Sequence, residues 1–186
     1  MKDLSLELGD IILVKGSGLF SKAIMLFGKL QTGEARVSHA ALYIGDGLVI
    51  ESIAWPEWKI RINEVENYKV KDTVVYRISG HGKQMETVVH EAKKFAGNQY
   101  AWWKIPLFAL DGVSSFVSRN PVYFFTGSAK ITNWQVCSQF IAYCFYKFSS
   151  HKWLLDWRKM SPDLMDDDLK RGNLKPCHCE AWEVKK

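Results

Sequence analysis

Several things are scarce in these 186 residues. The 4 cysteines, at 137, 144, 177 and 179, are too few for a disulfide-stapled scaffold, and the chain is long enough to build a core without staples. With 5 prolines and 13 glycines, neither a collagen-like repeat nor a low-complexity linker is present. The longest uncharged stretch, 131–146, is too short to span a bilayer and carries Thr132, Asn133, Gln135, Ser138 and Gln139. Residues 1–10 lack the apolar core of a secretory signal. A soluble, cytoplasmic protein with reduced thiols is therefore expected. No block of like charge stands out, and a net charge of +5 does not point to a nucleic-acid partner. P-loop, Gly-x-Gly-x-x-Gly and Gly-x-Ser-x-Gly motifs are absent, and no cofactor is expected.

What is present reads as one globular domain over residues 1–186, with 47% hydrophobic and 24% charged residues. Aromatic side chains are plentiful: 8 Trp, 7 Tyr and 10 Phe. A strand is expected at 11–15 and, after Gly16-Ser17-Gly18, a helix at about 19–30 with Phe20, Ile24 and Phe27 at helical spacing. Strands at 37–44 and 48–53 flank Gly45-Asp46-Gly47. Another strand is expected at 73–78 and a helix at 85–96. Segment 100–122 reads as aromatic and irregular, broken by Pro106 and Pro121. A helix capped by Asn133 should run to about Phe148, with Cys137, Phe140, Ile141, Cys144, Phe145 and Phe148 in one inward stripe. A short acidic helix should follow Ser161-Pro162-Asp163.

The Gly45-Asp46-Gly47 connection suits a three-residue hairpin loop closed by a glycine bulge. That loop pairs Ile44 with Leu48, Tyr43 with Val49 and Ala41 with Glu51. His39 and Glu51 then share a face as diagonal neighbours, about 7 Å apart at the backbone. A two-residue loop would turn Glu51 to the other face.

Cys137, near a helix N-terminus, and His39, on a strand, form a candidate nucleophile and base. The thiolate is the reactive form of cysteine, and both a helix N-terminus and an adjacent imidazolium favour it. The same N-terminus offers N–H groups to a developing oxyanion. His39 would protonate the leaving group, and Glu51 would orient the imidazole. A core role for Cys137 and a structural role for His39 are the plainer readings of the same residues. Cys144 shares the stripe but not the helix terminus, and reads as core. Cys177-His178-Cys179 lacks a second ligand pair, so no metal site is expected there. Asp166-Asp167-Asp168 reads as a solvated helix face, and Trp102-Trp103 as core or rim packing.

At these residues the sequence resembles a known family. Residues 9–14 (Gly-Asp-Ile-Ile-Leu-Val) and 38–51, from Ser-His-Ala-Ala-Leu-Tyr to Val-Ile-Glu, look like the first half of the permuted papain-like proteins. These form the YiiX-type and lecithin retinol acyltransferase-like branch of the NlpC-type cysteine peptidase superfamily. Val-Cys-Ser-Gln-Phe-Ile-Ala-Tyr (136–143) resembles its nucleophile helix, Gly97-Asn98-Gln99-Tyr100 its Gly-x-x-Tyr segment, and Ser161-Pro162-Asp163-Leu164 its closing segment. The order His then Cys marks the permuted branch.

The resemblance implies an α+β papain-like core: an antiparallel sheet, curved toward a small barrel, with the Cys helix packed on it. It implies Cys137 as nucleophile, His39 as base and acid, and Glu51 as the orienting residue. It offers Tyr100 as a hydroxyl near the oxyanion, although the family's Asp after that Tyr is Ala101 here. Glu51, where acyltransferase-like members often carry His, points to the YiiX-type side. The implied activity is a thiol hydrolase acting on an amide bond, with peptidoglycan-type peptides or N-acyl amino acids as substrates. A lipid acyl hydrolase or acyltransferase with the same residues, touching a membrane surface, is a second expectation. A papain-like module that binds peptide or glycan without turnover is a third.

Overall fold

The computed structural model describes residues 6–78, 82–120, 122, 124, 125, 136–172, 174 and 176. Ile11-Ile12-Leu13-Val14 are all buried and form β1 (Ile11–Val14). A strand without polar alternation needs cover on both faces, and this one has it. It lies inside an antiparallel sheet with β2 (His39–Gly45), β3 (Leu48–Ile53), β4 (Lys59–Glu64) and β5 (Thr73–Tyr76), in the order β4-β3-β2-β1-β5. Five α-helices complete the described residues: α1 (Leu19–Thr32), α2 (Gly82–Lys93), α3 (Lys104–Ser118), α4 (Cys137–Phe148) and α5 (Pro162–Arg171). The fold is therefore α+β, as expected. None of the described helices is long and apolar enough to cross a membrane.

Strand alternation sorts the core into two halves. Ile11, Leu13, Ala40, Leu42, Ile44 and Ile50 pack against the inward residues of α2, α4 and α5. Ile12, Val14, Ala41, Tyr43, Val49 and Val75 form a smaller cluster on the other face. His39 and Glu51 follow the parity of that second set. The expected stripe of α4 is buried from Cys137 through Phe145, with Phe148 half-buried.

The β2–β3 turn differs in detail from the expected one. Asp46 and Gly47 both have positive φ, 53° and 73°, the pattern of a two-residue primed turn. Alone, that turn would send Glu51 to the wrong face. The register shifts between Tyr43 and Gly45, and Gly45, not Ile44, pairs with Leu48. Ile44 is thus the extra residue of a bulge. The bulge restores Tyr43 opposite Val49 and Ala41 opposite Glu51.

Two further expectations are corrected. Segment 100–122 is largely helical, as α3. Pro106 falls in the first turn, where the backbone N–H has no intrahelical partner to lose. The helix ends where Arg119 turns left-handed at φ 55°. The aspartates of α5 are not a solvated face: Asp166 and Asp168 are buried, and Asp167 is half-buried. Asp166 accepts from the Tyr76 hydroxyl at 2.5 Å, and Asp168 from the backbone N–H groups of Leu154 and Leu155 at 3.0 and 3.2 Å. A charge run looks exposed in sequence; here each buried carboxylate meets donors from other elements.

Asp163 does the same for the strand that carries His39. Ser161 caps α5, Pro162 opens it, and Asp163 accepts from the backbone N–H groups of Arg36 at 2.7 Å and Val37 at 3.1 Å. Those residues lead directly into β2. Asp163→Ala would strand two donors, each costing about 1–3 kcal/mol. Urea unfolding is expected to show a loss of about 2–4 kcal/mol. A loss under about 1 kcal/mol would mean that water replaces the carboxylate without cost.

Candidate active site

Cys137 is the first residue of α4 and is buried. Val136 before it is extended, at φ −76° and ψ 164°, so the chain enters the helix abruptly and the thiol sits at the N-terminal end. The first turn is anchored at several points. The Ser138 hydroxyl donates to the Met160 carbonyl at 2.7 Å, and the Gln139 amide donates to the Arg158 carbonyl. Gln139 Oε1 accepts from Lys104 Nζ at 2.9 Å. Lys104 is fully buried at the start of α3, and burial pushes its ammonium down to about 8. These contacts fix the direction in which the helix terminus points.

His39 opens β2, and its side chain is 19% exposed. Its Nε2 lies 2.5 Å from Glu51 Oε2, and the Cys137 side chain is the other group that acts on the ring. Burial is the largest single influence on the imidazolium and opposes it. The negative charge and hydrogen bond of Cys137, joined by those of Glu51, outweigh burial and raise His39 to about 10. The charged ring is thus the favoured form.

Glu51 is buried, yet both oxygens are fully occupied. Oε2 faces His39 and accepts from the Tyr68 hydroxyl. Oε1 accepts from Arg61 Nε at 2.9 Å and Asn63 Nδ2 at 3.0 Å. Burial alone would raise this carboxyl; the hydrogen bonds and charge of His39, with Tyr68 and Arg61, lower it to about 2. Strand register explains the supply. Arg61 is directly opposite Glu51, and Asn63 is opposite Val49 on the same face.

Tyr100 is buried beside this group, its ring edge-on to Trp58 at 5.8 Å. Burial, and then the charge of Cys137, push its phenol well above the usual range. It therefore stays a hydroxyl donor. Cys144 behaves differently from Cys137: it is fully buried within the helix, and burial pushes its thiol well up, so it is inert. Trp103 packs beside Tyr100, whereas Trp102 is exposed. Asn133, Cys177, His178 and Cys179 lie outside the described residues.

All four sequence-derived residues meet in space. His39, Glu51, Tyr68, Tyr100 and Cys137 line one open cleft of about 720 Å³. Cys137 and Tyr100 also line a smaller apolar cavity of about 40 Å³ with Ile24, Phe27, Ile105 and Phe108. Sequence reasoning missed Arg61, Asn63 and Tyr68, because it did not identify β4. The signal was there: Lys59-Ile60-Arg61-Ile62-Asn63 alternates strictly between polar and apolar.

No family profile matches the chain, and neither does any curated protein. Among solved structures, the metalloprotein yiiX from Escherichia coli O157:H7, a DUF1105 protein, superposes with a TM-score of 0.56. The two are 15% identical, and the match covers 98% of this chain and 100% of that one. The α+β fold described above is therefore a yiiX-like fold.

Proposed function

We propose that this protein is a thiol hydrolase of the permuted papain-like, NlpC-related type, and that it cleaves an amide bond. The observation that carries the reading is Cys137 at a helix N-terminus, partnered by a His39 that Glu51 holds and that favours its charged form. In the first step the Cys137 thiolate attacks the carbonyl carbon, and the carbonyl oxygen takes up negative charge facing the first-turn N–H groups of α4. The C–N bond then breaks as the His39 imidazolium passes a proton to the leaving amine. A thioester remains on Cys137. Water attacks it while His39 takes the water's proton, which releases the acid and restores the thiolate and imidazolium. Glu51 stays ionised throughout and keeps the ring aligned. Tyr100 supplies a hydroxyl near the developing oxyanion.

The apolar lining beside Cys137 favours a second reading within the same chemistry, in which the acyl group is apolar and the donor a lipid. The neighbour yiiX is described as a metalloprotein. Among the described residues here, no group of three His, Cys, Asp or Glu side chains could hold a metal ion. These residues do not fit a metal centre, and no step is drawn through one.

The test is to trap the intermediate. Incubation with an activated acyl ester, followed by rapid acid quench and peptide mass spectrometry, is expected to place the acyl group on the peptide containing Cys137. Acyl groups found only on lysines, or on no residue, would count against nucleophilic catalysis by this thiol.

A further inference from the structure

The helix α3 buries its polar residues and leaves several large apolar ones outside. Its buried residues are Lys104, Asp111, Gly112 and Ser115. These include both of its charged side chains, and Gly112 lies close against α1: a Cβ there would sit 3.2 Å from the Phe27 carbonyl oxygen. Half-buried Ile105 and Phe108 face inward with them, but four other large apolar residues point outward. Leu110, Val113, Phe116 and Val117 are 48%, 52%, 68% and 76% exposed. Pro106, Leu110, Val113 and Val117 recur at i, i+4, i+7 and i+11, so they form one continuous outward stripe. Such a stripe normally faces a core. Asp111 is satisfied inside, accepting from the Phe125 backbone N–H at 3.0 Å, whereas the outer stripe is left in solvent, as a face that meets a partner would be.

The neighbouring helix says what kind of surface that is. Among the described side chains of α1, the exposed ones are Leu19, Lys22, Leu26 and Lys29, alternating apolar and basic. Neither helix carries an exposed acidic residue, and Arg119 ends α3 with a further exposed positive charge. Exposed Trp102 stands just before α3. Apolar side chains flanked by lysine, arginine and tryptophan match a bilayer surface, where chains meet hydrocarbon and basic groups meet anionic headgroups. A second copy of the chain would offer its own positive charge to the same face.

We propose that the α1–α3 face seats on the surface of an anionic lipid bilayer. The inner sides of the same two helices supply Ile24, Phe27, Ile105 and Phe108 to the apolar cavity at Cys137. The membrane-facing layer is therefore also the wall between lipid and thiol. This rests on the lipid reading given above and adds to it the surface from which the donor is drawn.

The experiment is co-sedimentation of the full chain with vesicles of phosphatidylcholine alone and of equal parts phosphatidylcholine and phosphatidylglycerol. Wild type is expected to bind the mixed vesicles at least about tenfold more tightly than the neutral ones, with binding weakened by salt. The double variant Val113→Asp with Val117→Asp is expected to bind them at least about tenfold less. Leu26→Glu with Lys29→Glu, on the other helix, is expected to do the same. Iodoacetamide labelling of Cys137 in vesicle-free buffer should stay unchanged in both, which separates a lost surface from a lost fold. Wild type left in the supernatant with mixed vesicles, or variants that sediment as well as wild type, would overturn the proposal. So would a wild-type dimer in sedimentation velocity that the variants abolish, without vesicle binding. The labelling arm reports on the thiol alone, so failure of the hydrolase reading and failure of the membrane seat leave different records.

Discussion

His39→Ala is expected to slow iodoacetamide alkylation of Cys137 by about a hundredfold at pH 7, and to lower hydrolytic turnover by about a thousandfold or more. The two effects have one origin. His39 is raised to about 10, against its own burial, by the charge of Cys137 and by Glu51. A ring held in the charged form beside the sulfur stabilises the negative charge that the sulfur brings to the attack. Removing it leaves the helix terminus as the remaining support, which is worth about 0.3–1 kcal/mol when exposed and up to about 2 kcal/mol when partly buried. Turnover suffers more than alkylation, because the leaving amine also loses its proton donor. The two readouts should separate with pH in wild type. Turnover should fall as pH rises through about 10, where His39 loses its proton, whereas alkylation needs only the thiolate and should not. Cys144 serves as an internal control, since burial keeps it unreactive in both proteins. Equal labelling rates in wild type and His39→Ala would sink the ion-pair account.

Glu51→Gln is the second large effect, and it is expected to act on pH dependence and stability together. The carboxylate is one of two charges that raise His39. Losing an opposite charge at hydrogen-bond distance shifts a group by about 1–3 pH units, so the alkaline limb of turnover should move down from about 10 by that amount. Rate at pH 7 should fall as well, since an amide holds the ring less firmly than a carboxylate.

The stability effect follows from linkage. Glu51 is lowered from 4.5 to about 2, so its contribution is present above pH 4.5 and is lost as pH falls toward 2. That shift corresponds to about 3 kcal/mol at neutral pH, which Glu51→Gln should remove along with its acid dependence. His39 acts with the opposite sign. Raised from 6.5 to about 10, it contributes fully below 6.5, and its contribution is lost as pH rises through 10. The pair should therefore stabilise the fold most between about pH 4.5 and 6.5. Urea midpoints across pH check this. An unchanged acid limb in Glu51→Gln would show that the carboxylate is not held as the hydrogen bonds indicate.

Much of this site is legible in the sequence. Glycine on both sides of Asp46 announced a hairpin, and alternation from His39 to Glu51 put the two on one face. The outcome was right, but the stated route was not. The turn has two residues, and the bulge at Ile44 supplies the missing step in register. Turn length and bulge exchange for one another in parity, so sequence spacing could not separate them. The error over α3 has a related cause. Pro106 looks like a breaker wherever helix phase is unknown, and it is harmless only because the helix begins at Lys104.

Local spacing was enough for most of the elements and for the contrast between Cys137 at a helix end and Cys144 inside it, while the α+β class came from the family resemblance. Periodicity encodes which residues face the same way, and a helix end carries its own electrostatics; both are short-range properties. What surrounds Glu51 is of another kind. Arg61, Asn63 and Tyr68 reach it through strand pairing and the turn that follows, and Asp163 holds the approach to His39 from 127 and 126 residues away along the chain. The burial of the α5 aspartates and the exposure of the apolar side of α3 were also decided at that level. Charge and hydrophobicity tell what a side chain prefers. Only packing tells which donors a carboxylate meets, and which apolar faces are left over for a partner outside the chain.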